Sequence, residues 1–250
     1  VDELRLFHMP LLRNADKSKI SKRKNPVSIN YYRQAGFLPE ALLNYLAMMG
    51  WTMPDATEKF TVADMIENFT LERMSLGGPV FDVQKLTWLN GLYIREQGTD
   101  SLVQMLRETM FSEERLKELV PLVYERIDKV DDFIDHTAFF FNGDVPYDEE
   151  ATKNLIPKKR ERKEIIKALE AVVEKIDGVG TLTVENTEAM LRGLCEEIAW
   201  KPKELFMPVR VAVTGRKATP PLFETIVALG KERSRRRLRN AIKHLKTLKD

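Results

Sequence analysis

Apolar residues recur every three or four positions along most of this chain, which is the spacing of one face of an α-helix. In residues 39–49, Leu42, Leu46 and Met49 mark such a face, and Pro39 suits the first helical turn. Extended segments are indicated only in the first dozen residues and at residues 178–184. The pattern therefore predicts a mainly α-helical protein.

Residues that favour helix starts and stops divide this pattern into elements. Thr61 followed by Asp64 predicts a capped helix over residues 62–68, and Asp82 predicts one over residues 83–96. Breaks are expected near residues 25–30, 95–100 and 177–184. Further helices are predicted at residues 100–109, 113–128, 130–139, 148–154, 158–176, 186–199, 203–213, 221–229 and 231–248.

Charge is distributed very unevenly, although 40 basic residues nearly balance 38 acidic ones. Residues 13–24 hold six basic side chains and one acidic, and residues 231–249 hold nine and one. Residues 112–150, in contrast, carry twelve acids and four bases. A polyanionic ligand would therefore be drawn to the two ends and repelled by the middle.

The cysteine count and the lack of long apolar runs argue against a disulfide-bonded or cysteine–zinc protein and against a membrane-spanning one. A single cysteine, Cys195, allows neither an intramolecular disulfide nor a cysteine-based zinc site, and it favours a reduced, cytoplasmic compartment. No segment reaches the roughly 18 continuous apolar residues of a transmembrane helix, so no association with a membrane is expected. The apolar residues near Val1 indicate a fragment of a larger domain.

The basic segment near the start contains residues that suit a phosphate chain. Lys19 and Lys22 lie three positions apart with Ser21 between them. In a turn, two ammonium groups and a hydroxyl can surround phosphates, because lysine is a mobile point charge and serine adds a donor. The alternative is a solvated basic loop, and charge alone does not distinguish the two.

Three separated blocks of sequence resemble one family. The first is "KISKR" at residues 19–23 with the "NPVSINYYRQAGFLPEALLNYLAMMGW" that follows, and the others are "FDVQKLTWLNGLYIRE" and "ELFMPVRVAVTGRKATPPLFETIVALGKERSRRRLRNAI". The first block resembles the second signature of class I aminoacyl-tRNA synthetases, in the form found in bacterial-type glutamyl-tRNA synthetases. The later blocks resemble that family's entry into its helical RNA-binding region and its C-terminal segment.

This resemblance implies a domain order for the C-terminal half of such an enzyme. Residues 1–27 would be the tail of the catalytic α/β domain with its ATP loop, and residues 28–97 a region that contacts the tRNA stem. Residues 98–180 and 181–250 would be two helical subdomains of an anticodon-binding domain, a helix cage. The expected fold class stays mainly α.

The resemblance also implies an activity for the intact enzyme. ATP, with Mg²⁺, would activate glutamate, and the acyl group would then pass to the 3′ end of tRNA(Glu); whether tRNA(Gln) is also charged stays open. The ATP loop would comprise Lys19, Ile20, Ser21, Lys22 and Arg23, with Lys22 as the expected ATP ligand. The enzyme is expected to be a cytoplasmic monomer.

One departure from the family pattern limits this expectation. The family's other nucleotide signature, His-Ile-Gly-His, is absent, and the three histidines, His8, His136 and His244, lie in unrelated contexts. The N-terminal catalytic domain is therefore expected to be missing. The fragment alone is predicted to bind tRNA, to hold no metal and to be catalytically inactive.

Five arginines are the candidates for tRNA contact. The arginines of residues 233–239 cannot all share one helix face, so some could be free for phosphates, although a solvated helix surface is the alternative. Two further arginines flank "VAVTG", where they could contact unpaired bases or close the end of a helix. The candidates are Arg210, Arg216, Arg233, Arg236 and Arg237.

Other readings of the chain remain open at this stage. A free-standing tRNA-binding module or regulatory paralogue would carry most of the same motifs. A helical protein-interaction scaffold with basic ends would have no tRNA affinity. Trp51, Trp88 and Trp200 all adjoin apolar stripes, so core packing is expected for them in preference to base stacking.

Overall fold

The computed structural model describes residues 8–21 and 28–248. Contacts divide the chain into two compact units, Val1–Met105 and Leu106–Asp250. Twelve α-helices occupy most of the described residues, which contain isolated β-bridges but no strand. The predicted mainly α-helical class is therefore confirmed.

The helices are distributed over both units. The first unit contains α1 (Ile29–Gln34), α2 (Pro39–Met48), α3 (Val62–Asn68) and most of α4 (Val83–Thr109). The second contains α5 (Glu113–Val123), α6 (Asp132–Phe141), α7 (Glu149–Leu155), α8 (Arg162–Gly178), α9 (Val184–Glu197), α10 (Pro202–Thr214), α11 (Leu222–Leu229) and α12 (Lys231–Thr247). Within the described residues, no helix has the length and apolar character needed to cross a membrane.

Helix α1 is absent from the sequence-based predictions because its local signals are weak. It has only six residues, and no side chain caps its first turn. Its stability depends on packing, since Tyr31 and Tyr32 are both buried. The ring of Tyr32 lies 5.6 Å from that of Phe37 and 6.0 Å from that of Phe81.

The caps predicted in the first unit are confirmed. The Thr61 hydroxyl accepts a hydrogen bond from the Asp64 backbone N–H at 3.1 Å, and the Asp64 carboxylate accepts one from the Thr61 N–H at 2.8 Å. The Asp82 carboxylate accepts from the Gln84 N–H at 2.8 Å. Helix α4 is interrupted at Gly98, whose φ of 81° is left-handed, within the break expected at residues 95–100.

One hydrophobic core holds the second unit together. Its buried members run from Leu119 in α5 to Leu245 in α12, and α8 contributes a stripe that includes Ile165, Leu169 and Ile176. The spacing of this stripe matches one helix face. The core thus draws on both of the predicted subdomains, 98–180 and 181–250, and the four-part division of the chain stays a prediction.

Helix α5 ends earlier than its predicted bound at residue 128. It stops at Val123, and a 3-10 turn, Tyr124–Arg126, follows. Pro121 lies inside α5, where it lacks a backbone donor and disfavours helical backbone at the preceding residue, so the helix is weakened near its end. The turn leaves Tyr124 73% exposed.

The expectation that all three tryptophans pack in the core is wrong for one of them. Trp51 is buried, but Trp88 is 49% exposed. At about 100° per residue, Trp88 lies roughly 200° around α4 from the buried Leu86, on the opposite face. Trp200 is half-buried beneath the guanidinium of Arg160, which lies 4.3 Å from its ring.

Candidate functional site

The basic segment near the start forms a tight antiparallel turn in the first unit. The Asn14 N–H donates to the Ser18 carbonyl at 2.8 Å, and the Lys17 N–H donates to the Asn14 carbonyl at 2.8 Å. Lys17 takes a left-handed φ of 65° at the tip. The Arg13 N–H donates to the Pro79 carbonyl at 2.9 Å, which anchors the turn to the segment before α4.

This turn presents two lysines to solvent. Lys17 and Lys19 are exposed, and neither ammonium group has an ion-pair or hydrogen-bond partner among the described residues. Ile20 and Ser21 follow them and are partly buried. The other members of the predicted ATP loop, Lys22 and Arg23, lie outside the described residues, so the loop is seen only in part.

One face of α12 binds the end of α6 and the segment that follows it. Arg233, Arg236, Arg237 and Asn240 have the i, i+3, i+4, i+7 spacing of a single helix face, and all four contact residues 139–144. Arg233 donates to the Phe140 carbonyl. Arg236 makes a bidentate pair with the Asp144 carboxylate at 2.7 and 2.6 Å, and Asn240 donates to the same carboxylate at 2.8 Å.

Arg237 lies at the centre of this contact and is fully buried. Its guanidinium donates to the carbonyls of Phe139, Asn142, Gly143 and Val213 at distances between 2.5 and 3.3 Å. Burial lowers the pKa of Arg237 to about 10, so the group stays charged near neutral pH. It donates hydrogen bonds to carbonyls at the ends of α6 and α10 that have no donor within their own helices. Its positive charge also interacts favourably with the negative dipole end of both helices.

The remaining α12 arginines of this cluster face another part of the unit. Arg235 pairs with Asp177 and with Glu232, and Arg239 lies 3.7 Å from the Asp177 carboxylate. Each of the five arginines between residues 233 and 239 therefore has a protein partner. Structural ion pairs and helix capping, which the sequence does not reveal, occupy much of this basic helix.

Arg210 closes the loop that connects α10 to α11. Its guanidinium donates to the Thr219 hydroxyl at 2.5 Å and to the Pro220 carbonyl at 2.8 Å. Burial lowers its pKa, and the nearby charge of Arg126 lowers it further. A second guanidinium therefore lies close to Arg210 at the surface of the same unit.

Arg216 is the one exposed side chain among the five candidates. It follows the turn that ends α10, where Gly215 has a left-handed φ of 73°. A Cβ at Gly215 would lie 2.9 Å from the Pro146 carbonyl oxygen, so the turn requires glycine for space as well as for conformation. The Arg216 guanidinium donates to the Asp135 carbonyl, which ties the turn to α6.

An open pocket lies between the end of α5 and the start of α11. Its volume is about 640 Å³, which is sufficient for a small organic group. Its polar lining combines the exposed Tyr124 ring and the exposed Arg126 with two carboxylates. The residues that line it include Pro121, Tyr124, Glu125, Arg126, Pro221 and Glu224.

The residues of this pocket carry no distinctive pattern in the sequence. Tyr124 and Arg126 fall inside the helix predicted to reach residue 128, and Glu224 resembles an ordinary acidic residue of a first helical turn. Pro121 is the one available signal, because a proline inside a predicted helix favours an end of the helix and a turn beyond it.

No group of three or more His, Cys, Asp and Glu residues in ranges 8–21 and 28–248 is arranged to hold an ion.

Comparison with protein families gives two matches, in the order expected for a synthetase. Residues 1–88 match the model "tRNA synthetases class I (E and Q), catalytic domain". Residues 101–242, more than half of the chain, match "Anticodon binding domain". The pocket and the five candidate arginines all lie within the second match.

Curated relatives extend the match to nearly the full chain. A glutamate–tRNA ligase of Pseudoalteromonas translucida is 44% identical over 96% of this chain and 48% of its own length. That of Thermus thermophilus is 43% identical over 95% of this chain and 51% of its own. A crystal structure of a glutamate tRNA ligase from Elizabethkingia meningosepticum aligns at 24% identity and a TM-score of 0.49, over 95% of this chain and 50% of that one.

This chain spans about half the length of the curated relatives it matches. It belongs to the anticodon binding domain family, and its homologues over nearly its whole length are glutamate–tRNA ligases.

Proposed function

We propose that residues 101–242 bind the anticodon of a tRNA and that the intact protein is a glutamate–tRNA ligase. The observation that carries this proposal is the anticodon-binding match over the region that holds the pocket, Arg210 and Arg216. Unpaired RNA bases are bound by stacking on exposed aromatic rings and by hydrogen bonds from arginine, and Tyr124 and Arg126 supply both groups at the pocket.

The proposed RNA-binding surface contains fewer arginines than the basic composition indicates. Arg216 and Arg126 are exposed, so both can reach phosphates or bases. Arg210 supports the loop beside the pocket, and Arg233 and Arg236 retain part of their surface. Arg237 is left out of the surface, because its guanidinium is buried and bonded to four carbonyls.

Binding of a tRNA(Glu) transcript, measured over a salt series, tests this proposal. Phosphate contacts make affinity fall steeply with salt, and exchange of the anticodon bases should weaken binding further. Arg216→Gln and Arg126→Gln should each lower affinity about ten-fold, equivalent to about 1.4 kcal/mol. Lys167→Gln is a matched control, since Lys167 is an exposed cation on α8.

Two results would contradict the proposal. Absence of tRNA binding at low salt would favour a protein-interaction scaffold. Binding that ignores the anticodon sequence would restrict the chain to general RNA contact. A transcript of tRNA(Gln) in the same series tests whether both tRNAs are bound, and sedimentation of the intact enzyme tests the proposed monomer.

We further propose that Lys19, Ile20, Ser21, Lys22 and Arg23 contact the phosphates of ATP in the intact enzyme. The ammonium groups of Lys17 and Lys19 are exposed and have no ion-pair or hydrogen-bond partner among the described residues, which makes the preceding turn a suitable support for an anion. Lysine charge facing the phosphates stabilises the negative charge that develops as they separate, and Mg²⁺ would share that role. In the cell, the cytoplasm is the proposed location.

A substitution at Lys22 tests this role in the intact enzyme. Lys22→Ala should lower the rate of glutamate-dependent ATP–pyrophosphate exchange while the circular dichroism spectrum stays unchanged, because the proposed role of Lys22 is in the reaction and not in the fold. An unchanged exchange rate would overturn the assignment. This 250-residue chain alone should show no exchange, and measurable exchange would contradict its proposed inactivity.

A further inference from the structure

The pocket between α5 and α11 contains a carboxylate that the fold itself does not use. Glu224 is half-buried in the first turn of α11, and its Oε2 atom is shielded from solvent. Among the described residues this oxygen has no hydrogen-bond partner, and Glu224 forms no ion pair with any of them. A shielded acceptor without a donor is costly, so rotation of the Glu224 carboxylate to meet a donor that a ligand brings into the pocket would be favoured.

We propose that Glu224 is a specificity-determining residue that accepts a hydrogen bond from the exocyclic amino group of one anticodon base. The inference rests on the proposed tRNA binding and names the base chemistry that the pocket selects. Cytosine, adenine and guanine carry such an amino group, and uracil does not. Glu224 therefore disfavours uracil at the position that enters the pocket.

The other side chains of the pocket fit a planar, uncharged donor. Tyr124 is 73% exposed, which leaves its ring available for stacking against a base. Glu125 and Glu224 together disfavour a phosphate, and Arg126 offsets one of their two negative charges. A nucleobase amino group satisfies the carboxylate without adding net charge.

Uracil is a poor match for the same carboxylate for a geometric reason. Its one Watson–Crick donor, N3–H, lies between two carbonyl oxygens, and these repel the second oxygen of a carboxylate. The amino group of cytosine presents its donors without such a pair of flanking acceptors. Pairing of a glutamate or aspartate with the cytosine amino group is an established form of base recognition.

Binding of matched tRNA transcripts provides the test. Each anticodon position in turn carries cytosine or uracil, and affinities are measured for the wild-type chain, Glu224→Leu and Glu224→Gln. At one position the wild type should prefer cytosine about ten-fold. Glu224→Leu should remove this preference by weakening the cytosine complex, and Glu224→Gln should relax it, since an amide can turn to serve either base.

Two further variants separate recognition from general effects. Glu174→Gln removes an exposed carboxylate on α8 and should leave the preference unchanged. Tyr124→Leu should weaken the cytosine and uracil complexes by the same factor, because stacking does not depend on base identity. Circular dichroism checks folding, and the near-isosteric Glu224→Gln keeps the test valid if Glu224→Leu does not fold.

The outcomes distinguish this inference from the function on which it rests. If the wild type binds no transcript, both are overturned. If it binds but no position shows a preference that Glu224 variants change, only the role of Glu224 is overturned. A uniform gain of affinity in Glu224→Leu, whatever the base, would also overturn it, because Glu224 would then act only as a repulsive charge.

Discussion

Replacement of Arg237 should destabilise the second unit strongly. Arg237→Met removes a fully buried guanidinium that donates to four carbonyls, which lie at the end of α6, in the segment after it and at the end of α10. The carbonyls of Phe139 and Val213 lie in buried hydrogen bonds, and each acceptor left without a donor costs about 1–3 kcal/mol. Because methionine fills much of the volume, we expect a total loss of about 4 kcal/mol.

Urea unfolding gives a direct measurement of this loss. With a dependence of about 2 kcal/mol per molar urea, the midpoint should fall by about 2 M. Far-UV circular dichroism follows the transition, and amide hydrogen exchange in α10 and α12 reports on this unit alone. Lys243→Met is the control, since Lys243 is an exposed residue of the same helix, and it should change stability by no more than about 0.5 kcal/mol.

A midpoint for Arg237→Met equal to that of Lys243→Met would refute this reasoning. If Arg237→Met does not fold, Arg237→Lys supplies the measurement. A lysine keeps the charge but cannot reach carbonyls on both sides. The Arg237→Lys protein should therefore fold, with a urea midpoint below that of the wild type. If Arg237→Lys is as stable as the wild type, the positive charge alone is sufficient and the four hydrogen bonds are not needed.

Three smaller perturbations test other parts of the fold. Gly98→Ala should cost about 1–3 kcal/mol in urea unfolding, since φ 81° and ψ 175° suit only glycine, whereas Gly193→Ala inside α9 should stabilise. Hydrogen bonds from Thr61 lower the pKa of Asp64, so NMR should show this carboxylate titrating below 3.8. Its contribution to stability is present above that pH and is lost as the pH falls through the pKa of the folded state. A normal pKa for Asp64 would exclude the capping box. A double-mutant cycle on Arg236 and Asp144 should give a coupling of about 0.5–1 kcal/mol, and zero coupling would remove this pair from the account of α12.

The helices of this protein could be predicted because their signals are local. Capping pairs such as Thr61 with Asp64 lie three residues apart, and core stripes such as that of α8 repeat within one element. The missed helix, α1, has neither a side-chain cap nor sufficient length, and it depends on aromatic contacts with Phe81, about 50 residues away.

The partners of the basic helix could not be predicted for the opposite reason. Arg236 and Arg237 bind acceptors more than 90 positions earlier in the chain, and most of these acceptors are backbone carbonyls that no side-chain pattern marks. The positive charge of α12 therefore favours RNA contact when only the sequence is known, whereas in the structure its arginines are bound largely to groups of the protein itself. The Oε2 atom of Glu224, which has no hydrogen-bond partner in the described part of the chain, can likewise be recognised only once its neighbours are placed.

These contacts give the basic helix an indirect route to RNA affinity. The Tyr147 hydroxyl lies 2.8 Å from the Ala212 carbonyl and 2.9 Å from that of Arg237, and Arg237 donates to the Val213 carbonyl. Both residues therefore hold the end of α10, directly before the turn that carries Arg216. Loss of Arg237 would weaken tRNA binding by moving that turn.

Salt dependence separates such positioning from direct contact. A side chain that neutralises a phosphate contributes about one to the slope of log K against log salt, so Arg216→Gln should reduce the slope by about one if Arg216 contacts a phosphate. Arg237 is buried and reaches no phosphate in the folded protein. Its replacement therefore acts only through the turn that carries Arg216, so Arg237→Met combined with Arg216→Gln should give the same slope as Arg216→Gln alone. A weaker affinity in an α12 variant is by itself no sign that the residue touches RNA.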